Sequence, residues 1–195
     1  MQKKEMLDKL RYDIINQDIC PDLRKQATNL VFGSGNVDAK IMLIGEAPGK
    51  NEDLSGEPFV GAAGKLLNEL LLSVELNRED VYITNIVKYR PPQNRDPFPE
   101  ETVQFLPFLK KQIEIISPDI IITLGRHSMN CFLSNQQISK IHGTPRKMKL
   151  NVNKLQNKYK EIILIPFFHP AAALYNGGLR DSLFLDFKKV AKYLN

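Results

Sequence analysis

Three polar side chains stand at or near the ends of apolar runs. Glu46 follows IMLIG, Asn85 sits late in VYITNIV, and His169 follows IILIPFF. Open parallel α/β sheets collect their ligands in the crevice outside the carboxyl ends of the strands. Runs of this composition therefore bring the three groups to one place. An Asn amide offers one acceptor and two donors, which suits the imide edge of a ring. A His can donate to an oxygen that gains negative charge. A carboxylate can orient water or face a developing cation. Phe59, set among Pro58, Val60, Gly61, Ala62, Ala63 and Gly64, can stack on a ring face, worth roughly 1–3 kcal/mol for a base. The set describes a pocket for a flat, hydrogen-bonding ring. GEAPG, residues 45–49, matches neither phosphate-cradling G-x-x-x-x-G-K-[ST] nor dinucleotide-binding G-x-G-x-x-G. A Rossmann-like nucleotide enzyme is correspondingly unsupported.

The elements that must position these groups follow from periodicity. Strands are expected over about 40–44, 81–87, 120–124 and 162–167, all rich in β-branched residues. Helices are expected over 3–16, 62–73, 100–116, 126–133 and 182–194, from apolar residues at helical spacing. Pro91, Pro92, Pro97 and Pro99 exclude regular structure from the loop between residues 90 and 99. Strands alternating with helices predict an α/β fold, a three-layer α/β/α sandwich around a central four-stranded parallel sheet, with residues 1–195 as a single domain.

The chain has 195 residues, 43% hydrophobic and 25% charged, with a net charge of +5. That balance favours a polyanionic partner. Six of the positive charges fall in residues 141–160, which contain no acid. This stretch reads either as a solvated hairpin or as a phosphate contact. No segment has the length and apolarity of a membrane span, and the N-terminus lacks a secretory pattern. Two cysteines, Cys20 and Cys131, are too few for a disulfide scaffold. The expectation is a cytoplasmic monomer without membrane association. His142, in ISKIHG, reads more simply as a loop histidine than as a functional one.

GEAPGKNED with GEPFVGAAGKLL, then TNIVKYRPPQNRDPFPEE, then HPAAAL resemble, in that order, the family 4 uracil-DNA glycosylases. The similarity covers roughly residues 20–190. The resemblance implies uracil-containing DNA, single- or double-stranded, as partner. It also implies hydrolysis of the deoxyuridine N-glycosidic bond to leave an abasic site. Glu46 and His169 would be catalytic, the first positioning water and the second stabilising the uracil anion. Gly45, Ala47, Phe59 and Asn85 would bind the extruded base. Lys50, Lys88, Arg90 and Arg95 would reach phosphates, and Ala172 to Leu174 would fill the space vacated in the duplex.

The chain departs from the family at its iron–sulfur ligands. Where four cysteines usually hold a [4Fe–4S] cluster, this sequence has Gln17, Cys20, Tyr89 and Phe105. One thiolate cannot replace four, so neither a cluster nor any other metal is expected, with Tyr89 and Phe105 packing together instead. The loss also motivates a rival reading, a non-catalytic or weakly catalytic superfamily member that binds uracil or damaged DNA.

Overall fold

The computed structural model describes residues 2–153 and 158–193. Helix α1 (Lys3–Asn16) and the single turn α2 (Pro21–Arg24) precede a two-residue strand β1 (Ser34–Gly35). Strand β2 (Ile41–Gly45) leads through α3 (Lys50–Ser55) and α4 (Ala62–Leu72) to β3 (Tyr82–Asn85). Helix α5 (Pro99–Ile116), β4 (Ile120–Leu124) and the short α6 (Arg126–Asn130) and α7 (Ile138–Ile141) follow. A hairpin of β5 (Arg146–Asn153) and β6 (Lys158–Phe167), then α8 (Pro170–Ala173) and α9 (Gly177–Val190), complete the fold.

The sheet order is β1-β3-β2-β4-β6-β5. Its four central strands, β3, β2, β4 and β6, are parallel, as expected. The edge strands β1 and β5 are antiparallel additions. The pleat sends alternate residues to opposite faces, and the sequence fills both. Met42, Ile44, Tyr82 and Ile121 pack with Leu7, Leu10 and Ile14 of α1 and with Phe105, Leu109 and Ile113 of α5. Ile41, Leu43, Ile83, Ile120 and Ile122 pack with Leu66, Leu67 and Leu70 of α4 and with Leu183 and Phe187 of α9. Strands buried on both sides explain the unbroken apolar runs.

The short elements β1, α2, α3 and α7 are additions to the expected set, β3 and α6 are shorter than expected, and three further differences have clear physical reasons. Residues 146–153 form a strand, where periodicity alone assigns no element to the basic stretch. The period-2 pattern is masked by charge: Met148 and Leu150 pack against the core, while Lys147 pairs outward with Glu161 at 2.9 Å. Strand β6 is correspondingly longer than the expected 162–167. Helix α9 starts at Gly177 rather than near Ser182, because the Asn176 side chain caps it by accepting from the Leu179 N–H at 3.1 Å. That cap outweighs the helix-breaking tendency of Gly177 and Gly178.

Candidate active site

The carboxyl ends of the parallel strands border a cavity of about 310 Å³, a size suited to one small ring-shaped ligand. Its lining includes Glu46, Ala47, Phe59, Asn85 and His169. Register accounts for the meeting: Gly45 of β2 lies opposite Asn85 of β3. The chain after Asn85 stays alongside β2, since the Ile86 and Val87 N–H groups donate to the Gly45 and Glu46 carbonyls at 3.0 Å.

Asn85 is only 2% exposed, yet its Oδ1 has no hydrogen-bond partner. A buried acceptor without a partner costs on the order of 1–3 kcal/mol. This one belongs to a residue that lines the cavity, and no donor of the described residues satisfies it. Gly45 makes this placement possible. A Cβ there would lie 2.3 Å from Asn85 Oδ1 and 2.6 Å from the Phe59 ring.

Phe59 adopts left-handed backbone geometry, φ 53°, which is uncommon for a bulky side chain. The surroundings fix it there. Arg78 donates to the Pro58 and Phe59 carbonyls. Glu52 Oε1 accepts from the Val60 and Gly61 N–H groups at 2.9 and 2.8 Å. Gly64, in the first turn of α4, lets the Phe59 backbone approach where a Cβ would collide with the Phe59 carbonyl. The Phe59 ring ends up stacked beside His169, centroids 5.7 Å apart and planes at 29°.

His169 caps α8. Its Nδ1 accepts from the Ala171 N–H at 3.1 Å, so in the neutral ring the proton resides on Nε2. Burial pushes the pKa down to about 4. Near neutral pH the ring is therefore an uncharged Nε2–H donor.

Glu46 is half-buried, and loss of hydration pushes its pKa up. His127 and Arg126 oppose that rise and Asp96 adds to it. His127 Nε2 lies 3.8 Å from Glu46 Oε1 and 3.2 Å from Asp96 Oδ2.

The residues expected at phosphates divide. Lys50 is exposed at the start of α3. Arg90 is half-buried, with Nε donating to Asn94 Oδ1 at 2.7 Å. Arg95 lines the cavity but is committed to both oxygens of Glu101, at 2.8 and 2.6 Å. Lys88 is a correction: its side chain is 0% exposed and cannot reach a phosphate. Its Nζ donates at 2.6 Å to Thr84 Oγ1, the Asn85 carbonyl and Gln112 Oε1. Burial pushes its pKa well down. Three acceptors each require an N–H, however, and only the ammonium form supplies three. Its place is behind the pocket, tying the end of β3 to α5. Ala172 is exposed and Leu174 half-buried, whereas the next residue, Tyr175, is 96% exposed.

His142 is a structural link. Its Nδ1 lies 2.6 Å from Oδ2 of buried Asp186 on α9, which Lys189 also pairs at 2.8 Å. The basic hairpin lies elsewhere. Pairing of Arg146 with Leu164 and of Asn153 with Lys158 puts the closed end of β5 and β6 at the amino end of the parallel strands, away from the cavity. Lys154 lies outside the described residues.

At the family's iron–sulfur positions, Gln17 is exposed, Cys20 is buried, and the buried Tyr89 and Phe105 rings meet edge to face at 5.9 Å. One thiol, an amide and two aromatic rings do not fit a cluster that takes thiolate ligands.

Sequence reasoning does not single out Glu52, Arg78, Asp96, Arg126, His127 or Tyr175. A usable signal exists for two of them. Arg126 and His127 follow Gly125 at the carboxyl end of β4, the same relation that points to Glu46 and His169.

A family model described as Uracil DNA glycosylase superfamily matches residues 32–194. The chain is 46% identical over 188 residues to a type-4 uracil-DNA glycosylase of Archaeoglobus fulgidus, covering 96% of this chain and 93% of that one. It is 46% identical over 192 residues to a type-4 uracil-DNA glycosylase of Sulfurisphaera tokodaii, covering 95% and 84%. A Thermotoga maritima protein of the same description is 40% identical over 196 residues, covering 98% and 96%. With its cavity lined from the ends of three of the four parallel strands, the chain belongs to the uracil-DNA glycosylase superfamily, alongside its type-4 members.

Proposed function

We propose that the chain hydrolyses the N-glycosidic bond of deoxyuridine in DNA, releasing uracil and leaving an abasic site. The observation that carries the reading is the Asn85 amide at the cavity wall, buried and with its Oδ1 unpaired. Uracil supplies the matching edge: N3–H donates to Oδ1, and O4 accepts from Nδ2. Phe59 stacks on the ring, and Gly45 and Ala47 border it. As the C1′–N1 bond breaks, its electron pair stays with the base, and the anion's O2 accepts from His169 Nε2–H. A neutral donor suits this task because it need not give up its proton to stabilise the charge. Glu46 faces the sugar, holds the attacking water and takes its proton as the new C1′–O bond forms.

The base must leave the stack to enter so small a cavity, at a cost of a few kcal/mol in duplex and less in single strands. Lys50 and Arg90, with Arg95 where Glu101 releases it, contact phosphates flanking the extruded nucleotide. Ala172 and Leu174 approach the gap. One copy supplies every group named, which supports action as a monomer. The free Cys20 and Cys131 thiols suit the reducing cytoplasm. We also propose that the enzyme works without an iron–sulfur cluster, because the Tyr89–Phe105 contact fills with carbon the place where thiolates would be needed.

The test is cleavage of uracil-containing oligonucleotides, single-stranded and as U:G, U:A and T:G pairs, with alkaline scission at abasic sites. Scission at uracil by iron-free protein is expected. Uracil-selective binding without scission would replace the enzyme with the non-catalytic reading. About four iron atoms per chain in anaerobic preparations, the content of one thiolate-held cluster, would overturn the cluster-free proposal.

A further inference from the structure

Glu46, Asp96 and His127 come from three separate elements, the end of β2, the Pro-rich loop and α6. Their ligating atoms lie within 4.8 Å of one another. The set does not suit a metal ion, because a guanidinium already occupies it. Arg126 Nη2 lies 2.9 Å from Asp96 Oδ2, and Arg126 Nε donates to His127 Nε2 at 3.0 Å. A cation there would face Arg126 at close range.

His127 Nε2 is instead offered two opposite uses. As a lone pair it accepts from Arg126 Nε. Carrying a proton, it donates to Asp96 and faces Glu46. Only the second use places a positive charge beside Glu46. The arrangement is that of a base oriented by a second group, itself anchored by a third.

Resting on the reading of Glu46 as the water-activating carboxylate, we propose that His127, anchored by Asp96, is a positioning residue that keeps Glu46 ionised and turned toward the cavity. Burial moves a carboxylate toward its neutral form, and a neutral Glu46 cannot accept a proton from water. A protonated His127 3.8 Å away opposes that effect. The other charged or titratable groups around Glu46 are Arg126 on α6, Asp96 and Arg95 on the Pro-rich loop, Glu52 on α3 and His169 before α8. Of these, Glu52 is engaged with backbone N–H groups and Arg95 with Glu101. Arg126 is paired with Asp96, and His169 is neutral. The positive charge that Glu46 responds to most is therefore that of His127.

The experiment measures single-turnover cleavage of a single-stranded uracil oligonucleotide across pH for wild type, His127→Gln, His127→Ala, Glu46→Gln and the Glu46→Gln/His127→Gln double variant. The rate at acid pH follows ionisation of Glu46. Loss of the cation should shift the acid limb to higher pH in both His127 variants and lower the pH 7 rate by about 10-fold, within the range for removing an outer-shell partner. DNA affinity should stay as in wild type. In the Glu46→Gln background, His127→Gln should cost nothing further. A carbon-13 titration of the Glu46 carboxyl gives the same readout without turnover and should show its midpoint rising in His127→Gln. An unmoved acid limb or midpoint in both His127 variants would overturn the inference, even with a lower rate, because a merely structural role predicts that. Wild-type cleavage by Glu46→Gln would instead overturn the underlying reading of Glu46.

Discussion

The two ends of the sheet carry different kinds of polarity. At the carboxyl end, polar groups are sparse, separated in sequence and partly deprived of partners: Asn85 Oδ1 has none, and Glu46 is raised by desolvation. On the β5–β6 hairpin charges are dense and two of the described lysines are paired, although Arg146 Nε has no partner. Lys147 pairs with Glu161, and Lys160 with Asp119 and the Ser117 carbonyl. Surface pairs of that kind contribute little, and paired cations are poor collectors of phosphate. Charge density marks where a chain is solvated, whereas unmet polar groups at strand ends mark where it is prepared for a ligand.

That contrast can be broken most sharply inside the cavity. Asn85→Ala and His169→Ala should each lower single-turnover cleavage by ~10²-fold or more, the scale of losing one electrostatic donor. The melting temperature should stay near wild type for Asn85→Ala, whose Oδ1 has no partner to lose, and fall slightly for His169→Ala, which loses the α8 cap. Wild-type rates would mean, for Asn85→Ala, that the unmet acceptor has no ligand and, for His169→Ala, that the Nε2–H donor has none.

Lys88 sharpens the contrast from behind. Lys88→Met strands up to three acceptors at about 1–3 kcal/mol each, offset by relief of a buried charge. A net loss of about 2 kcal/mol should lower the melting temperature by roughly 4–8 °C and slow cleavage by loosening the Asn85 backbone. An unchanged melting temperature, read by differential scanning fluorimetry, would make the network dispensable.

A smaller effect is expected at the rim. Tyr175→Ala should reduce cleavage several-fold in duplex and leave single-strand cleavage unchanged, because only a duplex has a gap to fill. Equal losses on both substrates would assign Tyr175 to general DNA binding. The smallest effect belongs to the hairpin. Lys147→Gln with Lys149→Gln should change DNA affinity less than about 2-fold and leave the salt slope intact, whereas each phosphate neutralised by a lysine adds ~0.9 to that slope. A slope reduced by about one or more in the double variant would return the hairpin to the DNA interface.

Much of this architecture is legible in the sequence because hydrophobic burial is written in period and composition. The β4 bounds and the α1 bounds agree with the sequence reading. So does the meeting of Glu46, Asn85, Phe59 and His169, which follows from their places at strand ends and on the loop between β2 and α4. What escapes is fixed by tertiary context. Lys88 reads as a surface cation because nothing local reveals that Thr84, Asn85 and Gln112 converge on it, the last from 24 residues away. Asp96 and His127 are ordinary apart, and only the fold of the Pro-rich loop over α6 makes them a pair. The α9 start is hidden because one Asn cap outweighs two glycines.

Gly45 has a consequence for how such a site can change. Its neighbours close on the volume a methyl group would need, from Asn85 on one side and Phe59 on the other. Every substitution at a glycine adds at least that carbon. Drift at this position therefore cannot tune the pocket gradually, because the first step already pushes the base-reading amide and the stacking ring apart. The four-stranded frame that carries them stays intact. A lineage crossing that step would keep a folded protein with its exposed cations in place and lose its recognition chemistry at once.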